Sequence, residues 1–220
     1  MIAVGWSDHG TVQGEFCYSL MYAVKADAHN RSLISDLFAF PAAVVSKGRN
    51  TVFEHFLTTD SEWLLMVDAD TVWGVRDIYN LYDIAVSNNL KLLNAIYFFN
   101  HPEKGVIPAL FNPGDEIGDA SLVDLKKMLD NDIIEVQWAG LGAMIIHRDL
   151  VEQTKTVGAD GRPYWFAEGI VDGFFVEEDY FFFNKVKEAG HKIYATPRVF
   201  VDHIKKTRIT INDYLANSQV

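Results

Sequence analysis

Residues Trp63 to Asp70 read WLLMVDAD, an apolar run that ends on two carboxylates with one alanine between them. A bounded apolar stretch of this length suits a buried strand better than a surface helix. Asp68 and Asp70 then stand at the strand's C-terminal end, where ligands bind in open α/β sheets. Two acidic side chains there suit a hard divalent cation, and such a cation can hold a diphosphate. The same pair also reads as a plain strand end and turn, a position Asp often takes. Two further groups lie downstream, Glu177-Glu178-Asp179 and Asp202-His203, each where a regular element begins or ends. A metal-assisted transfer needs two or three ligands for the cation and a separate carboxylate as general base. The strand-end aspartates and His203 can supply the ligands, and Asp179 the base. Taken singly, acidic residues in a helix's first turn also simply meet its dipole. A histidine closing a strand is often a hydrogen-bonded surface residue.

The elements that must position these groups alternate along the first half of the chain. Strands are expected over 2–5, 33–38 (ambiguous with helix), 63–67 and 91–98. Helices are expected over 15–28, 51–57 and 75–87, with a break at 46–50. This alternation predicts a largely parallel sheet covered on both faces. The second half is less regular. It reads as a turn cluster at 112–116, a short amphipathic helix at 121–129, and strands at 133–138 and 141–146. A glycine- and aromatic-rich segment over 156–172 is the expected mobile loop. A helix over 178–188 stops at Gly190, strands follow at 191–195 and 199–202, and the tail from Ile204 is polar and less ordered.

Bulk properties set limits on function. At 220 residues, 49% hydrophobic and 22% charged, the chain has the size and composition of one soluble α/β domain. A single cysteine, Cys17, excludes an intrachain disulfide and fits a reducing compartment. The N-terminus lacks the pattern of a signal peptide, and no apolar run is long enough to span a bilayer. A cytoplasmic protein without membrane insertion is therefore expected. A net charge of −11 argues against broad nonspecific binding to nucleic acid.

The segments SKGRNTVFEHFL, WLLMVDADTVW, WAGLGAMIIHRDLVE and EEDYFFFNKVKEAGHKIYATPRVFVDH occur in that order from Ser46 to His203. In content and order they resemble glycosyltransferases of the GT-A fold, close to family 2, whose short free-standing members occur in bacteria and phages. The resemblance implies an α/β, Rossmann-like, mostly parallel sheet flanked by helices on both faces. It implies one catalytic domain over 1–203, with 204–220 as a polar tail able to act as a mobile active-site segment.

The same resemblance implies roles. Asp68, Asp70 and His203 would hold Mn2+ or Mg2+, which bridges the diphosphate of a nucleotide-sugar donor, most simply a UDP-sugar. Asp70 would be the direct ligand, with Asp68 reaching the ribose or a metal-bound water. Asp179 would be the base of an inverting single displacement, and Glu178 would position the acceptor or the helix start. Asp8, Arg49, Asn50, Asp68, Ala69 and Gly142 make up the expected donor-binding set. Arg49 and Asn50 read otherwise as a solvated arginine and a helix cap, and Gly140-Leu141-Gly142 as a turn. Trp165 and Phe166 either stack on a sugar or base, or pack. Lys205, Lys206 and Arg208 either close over the donor phosphates or form a solvated tail. Acceptors of such enzymes include glycans, proteins and modified nucleobases. Two other classes compete: a nucleotidyltransferase acting on sugar phosphates, which would carry a glycine-rich phosphate loop near the first strand, and a non-catalytic carbohydrate-binding protein, which would tolerate loss of the carboxylates.

Overall fold

Strands form where the apolar runs lie. The computed structural model describes residues 1–101, 103–112, 121–171, 173–205 and 208–217 and contains a central sheet of seven strands. They are β1 (Ile2–Asp8), β2 (Ile34–Pro41), β3 (Trp63–Asp68), β4 (Leu92–Ile96), β5 (Ile134–Val136), β6 (Ala143–His147) and β7 (Ile193–Phe200). Their order across the sheet is β2-β1-β3-β6-β4-β7-β5. Strand β1 pairs in parallel with β2 and β3, and β4 with β7. Strand β6 runs antiparallel to β3 and β4, and β5 antiparallel to β7. Five strands therefore share one direction, and the expected mostly parallel sheet is found with two reversed members.

Helices cover both faces, as expected. They are α1 (Gly14–His29), α2 (Val45–Phe56), α3 (Val75–Ser87), α4 (Arg148–Gln153), α5 (Glu178–Glu188) and α6 (Ile211–Asn217). Phe16 and Leu20 of α1 and Ile78 and Leu81 of α3 share one core with Val4, Leu65 and Val67. Phe53 of α2, Leu150 of α4 and Phe182 of α5 share the other with Leu64, Met66 and Met144. Alternate residues of β3 feed opposite cores, which is why that strand is apolar without interruption.

Three local expectations are corrected. Helix α2 begins at Val45, not after a break at 46–50. Gly48 is a packing gap: a Cβ there would stand 1.7 Å from Ser7 Oγ, so the glycine lets α2 lie against the end of β1. Arg148 fixes the opposite end of α2 by donating to the carbonyls of Phe56 (3.1 Å) and Leu57 (3.2 Å), which the helix leaves unpaired. The stretch at 121–129 forms only a short 3-10 turn, Leu125–Met128. The two last strands merge into β7, and Pro197 sits where its register with β4 shifts.

Within the expected mobile loop, Trp165 and Phe166 belong to the core. Thr156–Val157 pairs with Pro163–Tyr164, and Trp165 and Phe166 are fully buried with their rings edge-on to Phe53. Packing is the role these two aromatics take. The described residues of the tail form two regular elements. Arg208–Ile209 pairs with Asp202–Ile204, and Tyr214 of α6 is buried in a stack on Phe98. The turn expected at 112–116 falls outside the described residues beyond Asn112, as do Asp172 and Lys206. No helix among the described residues is long and apolar enough to cross a membrane.

Candidate active site

Strand β3 ends at Asp68 on the C-terminal edge of the sheet, beside the end of β1. Asp8, Arg49, Asp68, Ala69, Asp70, Glu178 and His203, all singled out from the sequence, line one cavity of about 400 Å3 there. Its organising group is Arg49, buried on α2. One guanidinium nitrogen donates to Asp68 Oδ1 at 2.8 Å and the other to Glu178 Oε1, so Arg49 joins the end of β3 to the start of α5. Burial works against its charge, yet the two carboxylates hold its pKa above the ordinary guanidinium value. Asp8 accepts from the Gly10 backbone N–H at 2.7 Å, and the Ala69 carbonyl accepts from Gln13 N at 3.4 Å, ahead of α1.

A second ladder brings His203 to Asp70. The strand pair Thr71–Val72 and Asp202–Ile204 sets His203 opposite Thr71, and Ile204 N donates to the Asp70 carbonyl at 2.7 Å. His203 Nε2 then lies 3.3 Å from Asp70 Oδ2, and Lys205 Nζ lies 3.1 Å from the same oxygen. On its far side, His203 Nδ1 meets the Phe98 carbonyl at 3.0 Å. A carbonyl oxygen only accepts, so Nδ1 carries a proton and Nε2 is left facing Asp70, where it donates to the carboxylate when protonated and offers a lone pair to a cation when not. Burial raises the Asp70 pKa, but His203 and Lys205 outweigh it and hold the carboxyl below its usual range. Asp70 and His203 presented this way, with Asp68 lining the same cavity, are donor types suited to a hard or borderline divalent cation. Among the described residues no three such groups converge as a ready-made metal set; Asp68 is turned to Arg49, and Lys205 shares Asp70.

Tyr97, which the sequence reading passed over, fills the floor. Its ring stands edge-on to His203 with centroids 5.0 Å apart. A Cβ on Gly140 would lie 2.2 Å from the Tyr97 hydroxyl, and one on Gly142 2.7 Å from its ring. The two glycines therefore make room for this phenol, and Gly142 does not line the cavity; its carbonyl accepts from Asp68 N at 3.0 Å. The close approach these glycines allow is to Tyr97. Burial, then Asp68 and Asp179, push the Tyr97 pKa far up, so it stays a neutral phenol. An aromatic at the end of an apolar strand looks like core, and only the two glycines of 140–142 signalled that something bulky had to fit.

Two other expected residues lie elsewhere. Asn50 faces the 156–172 segment, where Oδ1 accepts from the backbone N–H of Trp165 (2.7 Å) and Phe166 (3.0 Å) and Nδ2 donates to the Phe166 carbonyl (2.8 Å). Its polar atoms are committed to that tether, not to the cavity. Asp179 opens onto a neighbouring cleft with Glu177 and Tyr180, while Glu178, one residue earlier in α5, faces the cavity. Burial and the adjacent Glu178 raise the Asp179 pKa to about 6, with Arg49 pulling the other way. That is a value useful to a base at neutral pH.

No protein-family model matches the chain, and no curated protein matches it in sequence. Solved structures do match. A197 from STIV aligns over 95% of this chain and 93% of its own, at 15% identity and a TM-score of 0.55. GalNAc-T7 with UDP, GalNAc and Mn2+ aligns over 93% of this chain and 43% of its own, at 13% identity and a TM-score of 0.59. S. aureus TarS 1-349 in complex with UDP-GlcNAc aligns over 91% and 57%, at 12% identity and a TM-score of 0.52. This chain thus spans about half the length of the last two. These likenesses, at 12–15% identity, show a shared fold, and the fold of this chain is GT-A.

Proposed function

We propose that this protein is a metal-dependent glycosyltransferase that moves a sugar from a nucleotide-sugar donor, a UDP-sugar, to a hydroxyl acceptor with inversion. The observation that carries this reading is the charge of the cavity. Asp8, Asp68, Asp70 and Glu178 outnumber Arg49 and Lys205, and Arg49 is already spent on two of the carboxylates. A diphosphate entering alone would meet net negative charge, so the site suits a diphosphate only together with a divalent cation. The solved GT-A structures with UDP, GalNAc and Mn2+ and with UDP-GlcNAc support the same choice of ligands.

In this proposal Asp68, Asp70 and His203 hold Mn2+ or Mg2+, with Lys205 released from Asp70 toward the phosphates. The bound cation supplies Lewis-acid stabilisation of charge on the departing nucleoside diphosphate. Asp8 and the Ala69 backbone take the nucleoside side of the donor, and Arg49 orients Asp68. Asp179 removes the proton of the acceptor hydroxyl while that oxygen attacks the anomeric carbon from the face opposite the leaving group. One displacement inverts the centre, so an α-linked donor gives a β-linked product. Glu178 faces the donor cavity and Asp179 the cleft beside it, so adjacent residues of α5 divide the two ends of the reaction. The reducing cytoplasm is the proposed setting, in keeping with the single cysteine.

The test is a panel of nucleotide sugars with and without Mn2+, reading thermal stabilisation and slow hydrolysis of the donor. Ligand at 100 times its Kd stabilises by about 2.7 kcal/mol, enough to read as a shift in Tm. Binding of a UDP-sugar that depends on the metal is the expected result. No binding of any nucleotide sugar under any metal condition overturns the proposal.

A further inference from the structure

The cleft on the Asp179 side has a volume of about 300 Å3 and a lining unlike that of the donor cavity. One wall is aromatic: Phe111 and Trp138 stack with centroids 5.0 Å apart, and Tyr180 stands edge-on to Trp138 at 5.1 Å. The rim is the hairpin of Gly169–Val171 and Phe174–Val176, in which Ile170 is paired with Phe175. Paired residues share a face, and these two are 69% and 64% exposed, whereas Val176 is buried. The hairpin thus buries Val176 and leaves two large apolar side chains uncovered, one of them, Phe175, lining the cleft.

The polar groups of the lining are as one-sided as its charge. Among the described residues its ionisable acids are Glu177 and Asp179, and neither Lys nor Arg lines it. Against these two carboxylates, the side-chain donors are the Trp138 indole and the Tyr180 phenol. A ligand here must therefore bring donors and carry no anionic groups. Nucleic acid fails on its phosphates, which need Lys or Arg. A peptide backbone brings as many carbonyl acceptors as N–H donors and would leave acceptors unmatched. Saccharides carry many hydroxyl donors, which carboxylates accept in strong charge-assisted bonds, and their C–H faces lie flat on aromatic rings.

Resting on the glycosyltransferase reading above, we propose that this cleft is the acceptor subsite and that the acceptor is a saccharide free of phosphate and carboxylate groups. Phe175 and the Phe111–Trp138 wall clasp the sugar ring, and Glu177 accepts from a hydroxyl beside the reacting one.

The test is saturation-transfer NMR on the full chain in the presence of UDP and Mn2+. The probes are neutral trisaccharides of glucose, galactose, mannose and N-acetylglucosamine, a 12-base-pair DNA duplex, and a Ser/Thr-rich peptide. At least one trisaccharide is expected to bind, and Phe175→Ser is expected to weaken it tenfold or more. Phe175 is largely exposed, so a circular-dichroism melt should show the variant folded, with UDP binding unchanged. Absence of saccharide binding to the wild-type chain, saccharide binding undiminished by Phe175→Ser, or duplex or peptide binding that Phe175→Ser removes would each overturn the proposal. UDP binding to the wild-type chain is read separately, and its loss counts against the donor reading instead.

Discussion

His203 Nε2 stands 3.3 Å from Asp70 Oδ2, while His203 Nδ1 is held by the Phe98 carbonyl. With Nδ1 committed to that carbonyl, Nε2 is the ring atom facing the carboxylate, and either a proton on Nε2 or a cation between the two groups makes the contact attractive. Asp70→Asn and His203→Ala should therefore abolish most of the extra UDP affinity that Mn2+ confers, leaving weak metal-independent binding. Titration calorimetry with and without Mn2+ reads this directly. An undiminished Mn2+ effect in both variants removes the pair as ligands.

Asp179 has a folded-state pKa raised to about 6 from the ordinary 3.8. As a base it works when deprotonated, so transfer should rise with pH through about 6 and level off above it. Asp179→Asn should lower transfer by roughly 100-fold or more. Stability runs the other way. The folded state holds this proton more tightly than the unfolded chain, so the contribution is fully present below 3.8 and lost as pH rises through 6. Above that range the ionised carboxylate costs up to about 3 kcal/mol, taking about 1.4 kcal/mol per unit of pKa. Asp179→Asn should thus melt higher than wild type at pH 8 and no higher at pH 4. Equal melting differences at both pH values count against the raised pKa.

The sequence was legible where one physical cause dominated. Uninterrupted burial on two faces made β3 readable from WLLMVD alone, and Asp68, Asp70 and His203, grouped from their order, line one cavity, while Asp179 opens onto the cleft beside it. It was ambiguous where a residue's meaning depends on a distant neighbour. Gly48 looks like a helix break until Ser7 is seen against it, and Trp165 and Phe166 look mobile until Phe53 and Asn50 are placed. Tyr97 carries no local mark, because its role comes from Gly140 and Gly142 on another strand junction.

That dependence makes a prediction. Gly142→Ala should put a methyl 2.7 Å from the Tyr97 ring and destabilise the fold by about 1–3 kcal/mol, the usual cost of overpacking. A second change, Tyr97→Val, should recover part of the loss, giving a coupling well above the roughly 0.5 kcal/mol expected of independent sites. Urea melts of the two single variants and the double variant measure it. Additive losses would place the strain of Gly142→Ala somewhere other than Tyr97.

Asn50 separates a tether from a donor contact. Asn50→Ala strips the partner from the buried backbone of Trp165 and Phe166, and should cost about 1–3 kcal/mol of stability. Affinity for UDP with Mn2+ should stay within about twofold of wild type. A loss of tenfold or more in a variant that still melts cooperatively would return Asn50 to the donor site.

Arg49 is held by Asp68 on one side and Glu178 on the other, and its charge also acts on Asp179. Arg49→Met leaves two part-buried carboxylates without their counterion, and breaking such an arrangement costs up to about 3 kcal/mol, the low end for a buried pair. Lysine is no substitute, because one ammonium cannot span two carboxylates as a planar guanidinium does. The more specific consequence is electrostatic. Arg49 lowers the Asp179 pKa and Glu178 raises it. Arg49→Met should move the acid limb of the rate profile to higher pH, and Glu178→Gln should move it to lower pH. Glu178→Gln also keeps the Asp68 partner of Arg49, so this variant should fold even where Arg49→Met does not. A role confined to packing would change melting and leave the limb near pH 6 in both. Opposite displacements of that limb require the two side chains to set the proton affinity of Asp179.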